Sequence, residues 1–220
     1  MKLSFILAQA RNGELAGLSK VDKSDEKVIG YLNMALIALY NRFQLATEEA
    51  IITLRPDINK IIYTMDSTDA DVTVSGAAMK DNDFMSIIAA FEENGDEIPV
   101  NDEQNPYSIF TTSYNKIQIP LLAQSGYVSV IYRKNPDLVT YVDNGSGDAV
   151  DTSVALPIQL LEPALHYVGY RAHGAVDGNI NTENSTHYTR FINSCNQVEV
   201  LGIITADDTT HVPVQHKGYV

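Results

Sequence analysis

One amphipathic stripe constrains this chain more than any other feature. In residues 24–43, Val28, Tyr31, Leu32, Ala35, Leu36, Leu39, Tyr40 and Phe43 recur three and four apart. That spacing lines one face of a helix with 3.6 residues per turn. Asp25, Glu26, Lys27, Asn33, Asn41 and Arg42 fall mostly off the stripe. Asp25 and Glu26 occupy the first turn, where the helix dipole favours anions, and Asp22 or Ser24 is the expected N-cap. A face this long needs apolar cover, yet the next strong helical period begins only at residue 157. The economical solution packs helices from both ends of the chain together.

The rest of the chain fits that frame. Residues 2–11 form a shorter helix with Leu3, Ile6, Leu7 and Ala10 on one face. From Glu48 the period changes. Short β-branched runs at 50–54 and 58–64 flank Arg55-Pro56-Asp57 and predict strands. Residues 66–76 read as a polar loop or irregular edge strand. Phe84–Phe91 fits helix or strand by propensity, but the Glu93-Asn94-Gly95-Asp96 turn favours a hairpin with Ile98-Pro99-Val100. Strands are also predicted at 108–113, 116–120 and 127–133, with turns at 115–116 and 124–126. Helix returns from Pro157 to about Ala175, with Ile158, Leu161, Leu165, Val168 and Ala172 on one face. A second late helix, capped by Asn181 or Thr182, carries Tyr188, Phe191, Ile192 and Cys195.

The expected fold is therefore α+β: a helical bundle built from N- and C-terminal helices, with a central antiparallel β-rich insertion and an extended C-terminal tail. The expected segments are 1–47 for the first helices, 48–154 for the insertion, 155–201 for the late helices and 202–220 for the arm. In that arm, Ile203, Ile204, Val212, Val214 and Val220 have near-alternating polar partners. Such a segment tends to add itself as a strand to another subunit, so these five residues are the candidate assembly site.

Charge and composition narrow the function. The 220 residues carry 28 acidic and 15 basic side chains, a net charge of −13. Eleven acidic residues lie between Asp66 and Glu103 against Lys80 alone. Gripping phosphates takes clusters of Lys and Arg, so this stretch should not bind nucleic acid tightly. Cys195 is the single cysteine, which excludes an intrachain disulfide. No apolar run approaches the roughly 20 residues of a membrane helix. The opening residues, apolar only from Leu3 to Ala8 and interrupted by Ser4, read as helix turns of an intracellular product, not as a secretory signal.

Few residues suggest chemistry. His166 and His173 are seven apart, and His187 and Cys195 eight apart, each pair on about one helix face. Metal ligands on a helix stand three or four apart, so ordinary packing of half-buried side chains is the better reading. Asp66, Asp69 and Asp71, and the loop from Asp143 to Asp148, lack the spacing and terminal Glu of an EF-hand. Asn144-Gly-Ser and Asn184-Ser-Thr match a glycosylation pattern that is incidental without a secretory signal. Phosphate-binding and nucleophile-elbow patterns are absent. No catalytic residue, metal or cofactor is expected.

Val28-Ile-Gly-Tyr-Leu-Asn-Met-Ala-Leu-Ile-Ala-Leu-Tyr-Asn-Arg-Phe43 resembles the corresponding helix of podovirus head-to-tail adaptors, the connector proteins related to tail tubular protein A. Glu48-Glu-Ala-Ile-Ile-Thr-Leu54, Tyr114-Asn-Lys-Ile-Gln-Ile-Pro120 and Val128-Ser-Val-Ile-Tyr132 are similar to parts of their β-insertion. The segment from Leu156 to the Tyr170-Arg-Ala172 ending, and His187-Tyr-Thr-Arg-Phe191, are similar to the helices that follow. The resemblance covers most of residues 24–195 in order. It implies a structural virion protein, assembled in the host cytoplasm into a homo-oligomeric, usually dodecameric ring at the head-to-tail junction. The implied partners are the portal protein, the tail nozzle protein and DNA that passes through without tight binding. Two other readings remain open from the residues alone: a β-rich binding or adhesion module, and a hydrolase using loop Asp and His residues.

Overall fold

The computed structural model describes residues 1–120, 126–145, 148–177, 186–202 and 204. Among them are four α-helices and a large antiparallel sheet, so the chain is α+β. It divides into two compact units, one of Met1–Gln44 with Asp137–Val220 and the other of Leu45–Pro136.

The first unit holds α1 (Leu3–Asn12), α2 (Asp25–Arg42), α3 (Leu161–Asp177) and α4 (Thr186–Val200). Each apolar stripe finds cover here. Leu3, Ile6, Leu7 and Ala10 of α1 are buried. So are Val28, Leu32, Ala35, Leu36, Leu39 and Tyr40 of α2, followed by Phe43. Ser24 is the α2 N-cap but makes no side-chain cap bond, while the Asp22 carboxylate accepts from Ser19 Oγ at 2.6 Å and Lys27 Nζ at 3.1 Å. The α3 helix packs against α2, α4 and α1, and α4 buries Phe191, Cys195 and Val198.

Two expectations for this unit change. Ile158 is 61% exposed, because Ile158–Leu160 form a 3₁₀ turn before α3 begins. Three residues per turn rotate the face, and Leu160 takes the buried place. Residues 137–154, expected in the β-rich insertion, fall with the helices. The cause is a set of polar ties. Asn33 Nδ2 donates to Val139 O at 2.9 Å, and Val139 N–H donates to Asn33 Oδ1 at 2.9 Å. Ala149 N–H donates to buried Asp25 Oδ2 at 2.6 Å, and Arg11 pairs with the other oxygen of that carboxylate. Val154 N–H reaches Met1 O at 2.7 Å.

The second unit contains β1 (Thr47–Thr53), β2 (Ile62–Thr64), β3 (Val72–Val74), β4 (Ala77–Ala78), β5 (Phe84–Glu92), β6 (Glu97–Ile98), β7 (Phe110–Ser113), β8 (Lys116–Gln118) and β9 (Tyr127–Lys134). One sheet has the order β4-β3-β1-β9-β5-β6 and the other β2-β8-β7. Ala50, Ile52, Tyr63, Phe84, Ala90, Ile117, Val128, Val130 and Tyr132 share one buried core drawn from both sheets. The ambiguous segment at 84–91 is a strand, since β9 pairs along it and a turn with Gly95 at φ +90° leads into β6. The strand expected at 58–64 starts only at Ile62, after a 3₁₀ turn at Pro56–Ile58 and a left-handed Asn59. Lys116 begins β8 as expected, and the turn before it lies at 114–115, one residue earlier than expected.

Among the described residues, no helix is long and apolar enough to cross a membrane.

Candidate functional site

The three histidines of the late helices meet at one residue, Glu14. Glu14, just beyond α1, accepts at Oε1 from His166 Nδ1 at 3.1 Å. His173 Nε2 lies 2.9 Å from the Glu14 backbone oxygen. His187 Nδ1 sits 2.7 Å from Glu14 Oε2, at ion-pair distance but without hydrogen-bond alignment. The His173 and His187 rings stack, with centroids 4.7 Å apart and planes inclined by 10°.

Gly169 makes this approach possible. A Cβ at that position would lie 2.9 Å from His187 Nδ1 and 3.1 Å from Glu14 Cβ. Burial lowers the His187 pKa below its usual 6.5, opposed by the Glu14 charge. Beside the cluster, the rings of Tyr167, Tyr170, Tyr188 and Phe191 pack with centroids 5.0–5.9 Å apart.

This junction fastens the segment after α1 to α3 and α4. Packing, the preferred reading of these histidines, fits their positions, and Glu14 is the partner the sequence reading missed. No local signal marks it, since it lies 152 residues before His166. Cys195 does not join them. Eight helical residues separate it from His187, a rise of about 12 Å. Burial pushes its thiol up to about 11, away from nucleophile chemistry. Among the described residues, no group of three His, Cys, Asp or Glu is arranged to hold a metal ion.

Two polar residues of α2 have clear structural work. Asn33 holds residue 139, as described above. Arg42 forks onto Glu199, with Nε to Oε1 at 2.6 Å and Nη2 to Oε2 at 3.0 Å, which lowers the Glu199 pKa.

In the β-unit, cations from outside the acidic stretch neutralise part of it. Lys60 Nζ reaches Asp69 Oδ1 at 2.6 Å and Asp71 Oδ2 at 2.8 Å, and Arg55 Nη1 reaches Asp71 at 3.3 Å. Asp69 Oδ2 also accepts Thr64 N–H at 2.9 Å, while Asp66 binds Thr68 and Asn115. Lys60 thus bridges Asp69 and Asp71, and Asp66 turns to Thr68 and Asn115 instead. Lys134 similarly sits between Glu48 at 3.0 Å and Asp83 at 3.6 Å. Tyr132 Oη donates toward the same two acids, and its pKa rises through burial and their charge.

The same unit has an open trough of about 810 Å³ on the face of the large sheet opposite the core. Ile51, Phe91, Tyr127 and Ile131 supply apolar surface, and Glu48, Glu49, Glu92 and Glu93 are the charged lining residues. No Lys or Arg lines it. Register pairs Ile51 with Ser129 and Phe91 with Ser129, which sets these side chains on one face. The pairing of β5 with β9 shifts register twice, between Phe84 and Ser86 and between Ile87 and Ala89, the kind of irregularity that bends a strand. Gly126 at φ +77° leaves room for the Glu93 carboxylate, since a Cβ there would lie 1.9 Å from Oε2.

Of the candidate assembly residues, Ile204 is half-buried, and Ile203, Val212, Val214 and Val220 lie outside the described residues. The expected caps Asn181 and Thr182 also lie outside them. No protein-family model matches this chain, and no curated protein matches it.

Proposed function

We propose that this chain is a structural subunit of a ring-shaped adaptor between the portal and the tail of a short-tailed phage. One observation carries the reading. The segments before residue 45 and after residue 136 form one compact unit, and the β-unit is inserted between them in sequence. That is the element order the adaptor resemblance implies. In this reading the four helices act as a bundle that joins neighbouring subunits, and the residues from 202 onward are an arm. Asn33 and Arg42, both inside the resembling segment, support it because each ties distant parts of the helical unit together.

The charge balance supports a lumen through which DNA slides. A net charge of −13 disfavours firm phosphate contacts. No catalytic role is assigned to any residue, and the partners are further copies, the portal and the tail nozzle.

Size-exclusion chromatography with light scattering, followed by electron microscopy, tests the reading. Rings are expected from the chain alone or after mixing with its portal. A chain that stays monomeric under both conditions refutes the proposal. Deleting 203–220 should leave the circular dichroism unchanged and prevent incorporation into the ring or onto the portal.

A further inference from the structure

Two aspartates of the β-unit stand apart from their neighbours. Asp57, Asp69, Asp71 and Asp83 each have a Lys or Arg partner, whereas among the described residues Asp66 and Asp81 are bound by neutral groups only. Asp66 accepts from the N–H and hydroxyl of Thr68 and from Asn115 Nδ2. Asp81 accepts Ser67 N–H at 3.0 Å, and its bonds to Ser67 hold its carboxyl below the usual carboxylate range, so it stays ionised. Both aspartates line one cavity of about 320 Å³, walled by Met65, Phe84 and Tyr114. No Lys or Arg lines it, and Tyr114 is 79% exposed, so its ring is open to a ligand.

The amides of this cavity are left as acceptors. Asn135 spends both Nδ2 hydrogens on Asn82 O at 2.8 Å and Phe84 O at 3.0 Å, which leaves its Oδ1 to accept. Asn115 donates to Asp66 Oδ2 at 2.9 Å, and among the described residues its Oδ1 takes no hydrogen bond. A ligand suited to this lining brings positive charge and several donors, and needs few acceptors in return. A guanidinium has five N–H donors, no acceptor, a permanent charge and flat faces that stack on an aromatic ring. Calcium takes about six to eight oxygens, carboxylates foremost. Asp66 has committed both of its oxygens, so the cavity supplies too few. The volume lies at the small end for ligand pockets, which suits one side chain.

We infer that this cavity binds the guanidinium group of an arginine presented by a partner protein. The inference stands on the β-unit alone and does not need the ring reading.

Equilibrium dialysis of the full-length chain against N-acetyl-arginine amide tests it. Saturable binding at one site per chain is expected, with N-acetyl-lysine amide weaker. Free arginine should also be weaker, because its own carboxylate meets the two aspartates. Asp81→Asn should weaken the blocked arginine about tenfold, the worth of one charge-assisted hydrogen bond. Tyr114→Leu should weaken it about threefold through the lost ring contact. Both positions are exposed, and circular dichroism checks that each variant folds. Glu97→Gln, exposed and outside the cavity, is the control and should change nothing. Binding that does not saturate, or that Asp81→Asn leaves intact, overturns the inference. So does displacement of the probe by an equal concentration of calcium or of glucose, which would make the cavity a metal or polyol site. Tighter binding of free arginine than of the blocked form overturns the protein partner.

Discussion

The two units handle their polar groups in different ways. In the helical unit, single side chains hold segments far apart in the chain: Asn33 holds residue 139, Asp25 holds residue 149, Arg42 holds Glu199, and Glu14 gathers three histidines. In the β-unit, the backbone ladder itself does the long-range work, as in the seven-residue register of β1 on β9. Its ion pairs among Arg55, Lys60, Asp69 and Asp71 join residues within one short stretch, and its longer ties, from Lys134 and Tyr132 to Glu48 and Asp83, run between strands that the ladder already pairs. Helices satisfy their backbone bonds internally and leave tertiary specificity to side chains, whereas sheets obtain much of it from the main chain. Loss of one polar side chain should therefore matter more in the helical unit.

The largest effect tests the apolar frame under that comparison. Leu36 is 1% exposed on the α2 stripe, so Leu36→Ala should cost about 2–5 kcal/mol, while the exposed Asn41→Ala should cost little. Equal denaturant midpoints for the two variants would contradict the packing of α2.

Next, Asn33→Ala removes both bonds to Val139 and should cost about 1–3 kcal/mol. Its counterpart in the β-unit is Thr73→Ala, whose hydroxyl reaches Ile51 O only at 3.5 Å. That change should stay within about 0.5 kcal/mol. If chemical denaturation ranks the two in the opposite order, the contrast between the units fails.

Gly169→Ala should destabilise by about 1–3 kcal/mol, because the new methyl group meets His187 and Glu14. Gly30→Ala meets nothing within 4 Å in the middle of α2 and should stabilise by about 0.5–1 kcal/mol. Melting temperatures moving in opposite directions would sharpen the comparison, and a neutral Gly169→Ala would argue against the close junction.

The smallest effect concerns pH. The folded His187 has a pKa below its usual 6.5, mainly through burial, and the titratable or charged groups facing it are Glu14, His173 and Arg190. The unfolded chain takes up that proton first, so this contribution is present above pH 6.5 and is lost as pH falls below it. In the β-unit, Asp71 has its pKa lowered below 3.8, chiefly by its bond to Lys60, so its contribution is lost only at much lower pH. Between pH 7 and 5, amide exchange should accelerate in α3 and α4 more than in β1 and β9, and His187→Gln should remove the difference. Uniform acceleration across both units would count against it.

Local periodicity was sufficient to read the helices and much of the sheet. Leu3, Ile6, Leu7 and Ala10, spaced along α1, are all buried, and the turn at 93–96 joins β5 to β6. A stripe at 3.6 residues or an alternation at 2 is carried by neighbours in sequence, so the residues alone specify it. The tertiary structure decided what no spacing encodes. It brought Glu14 to histidines more than 150 residues away, gave Asp69 and Asp71 their cations, and turned Ile158 outward through a single 3₁₀ turn. It also set Ile51, Phe91 and Ile131 beside four glutamates in one trough on the large sheet. These features depend on which distant segments meet and at what angle, and that is set by how the whole apolar surface is covered.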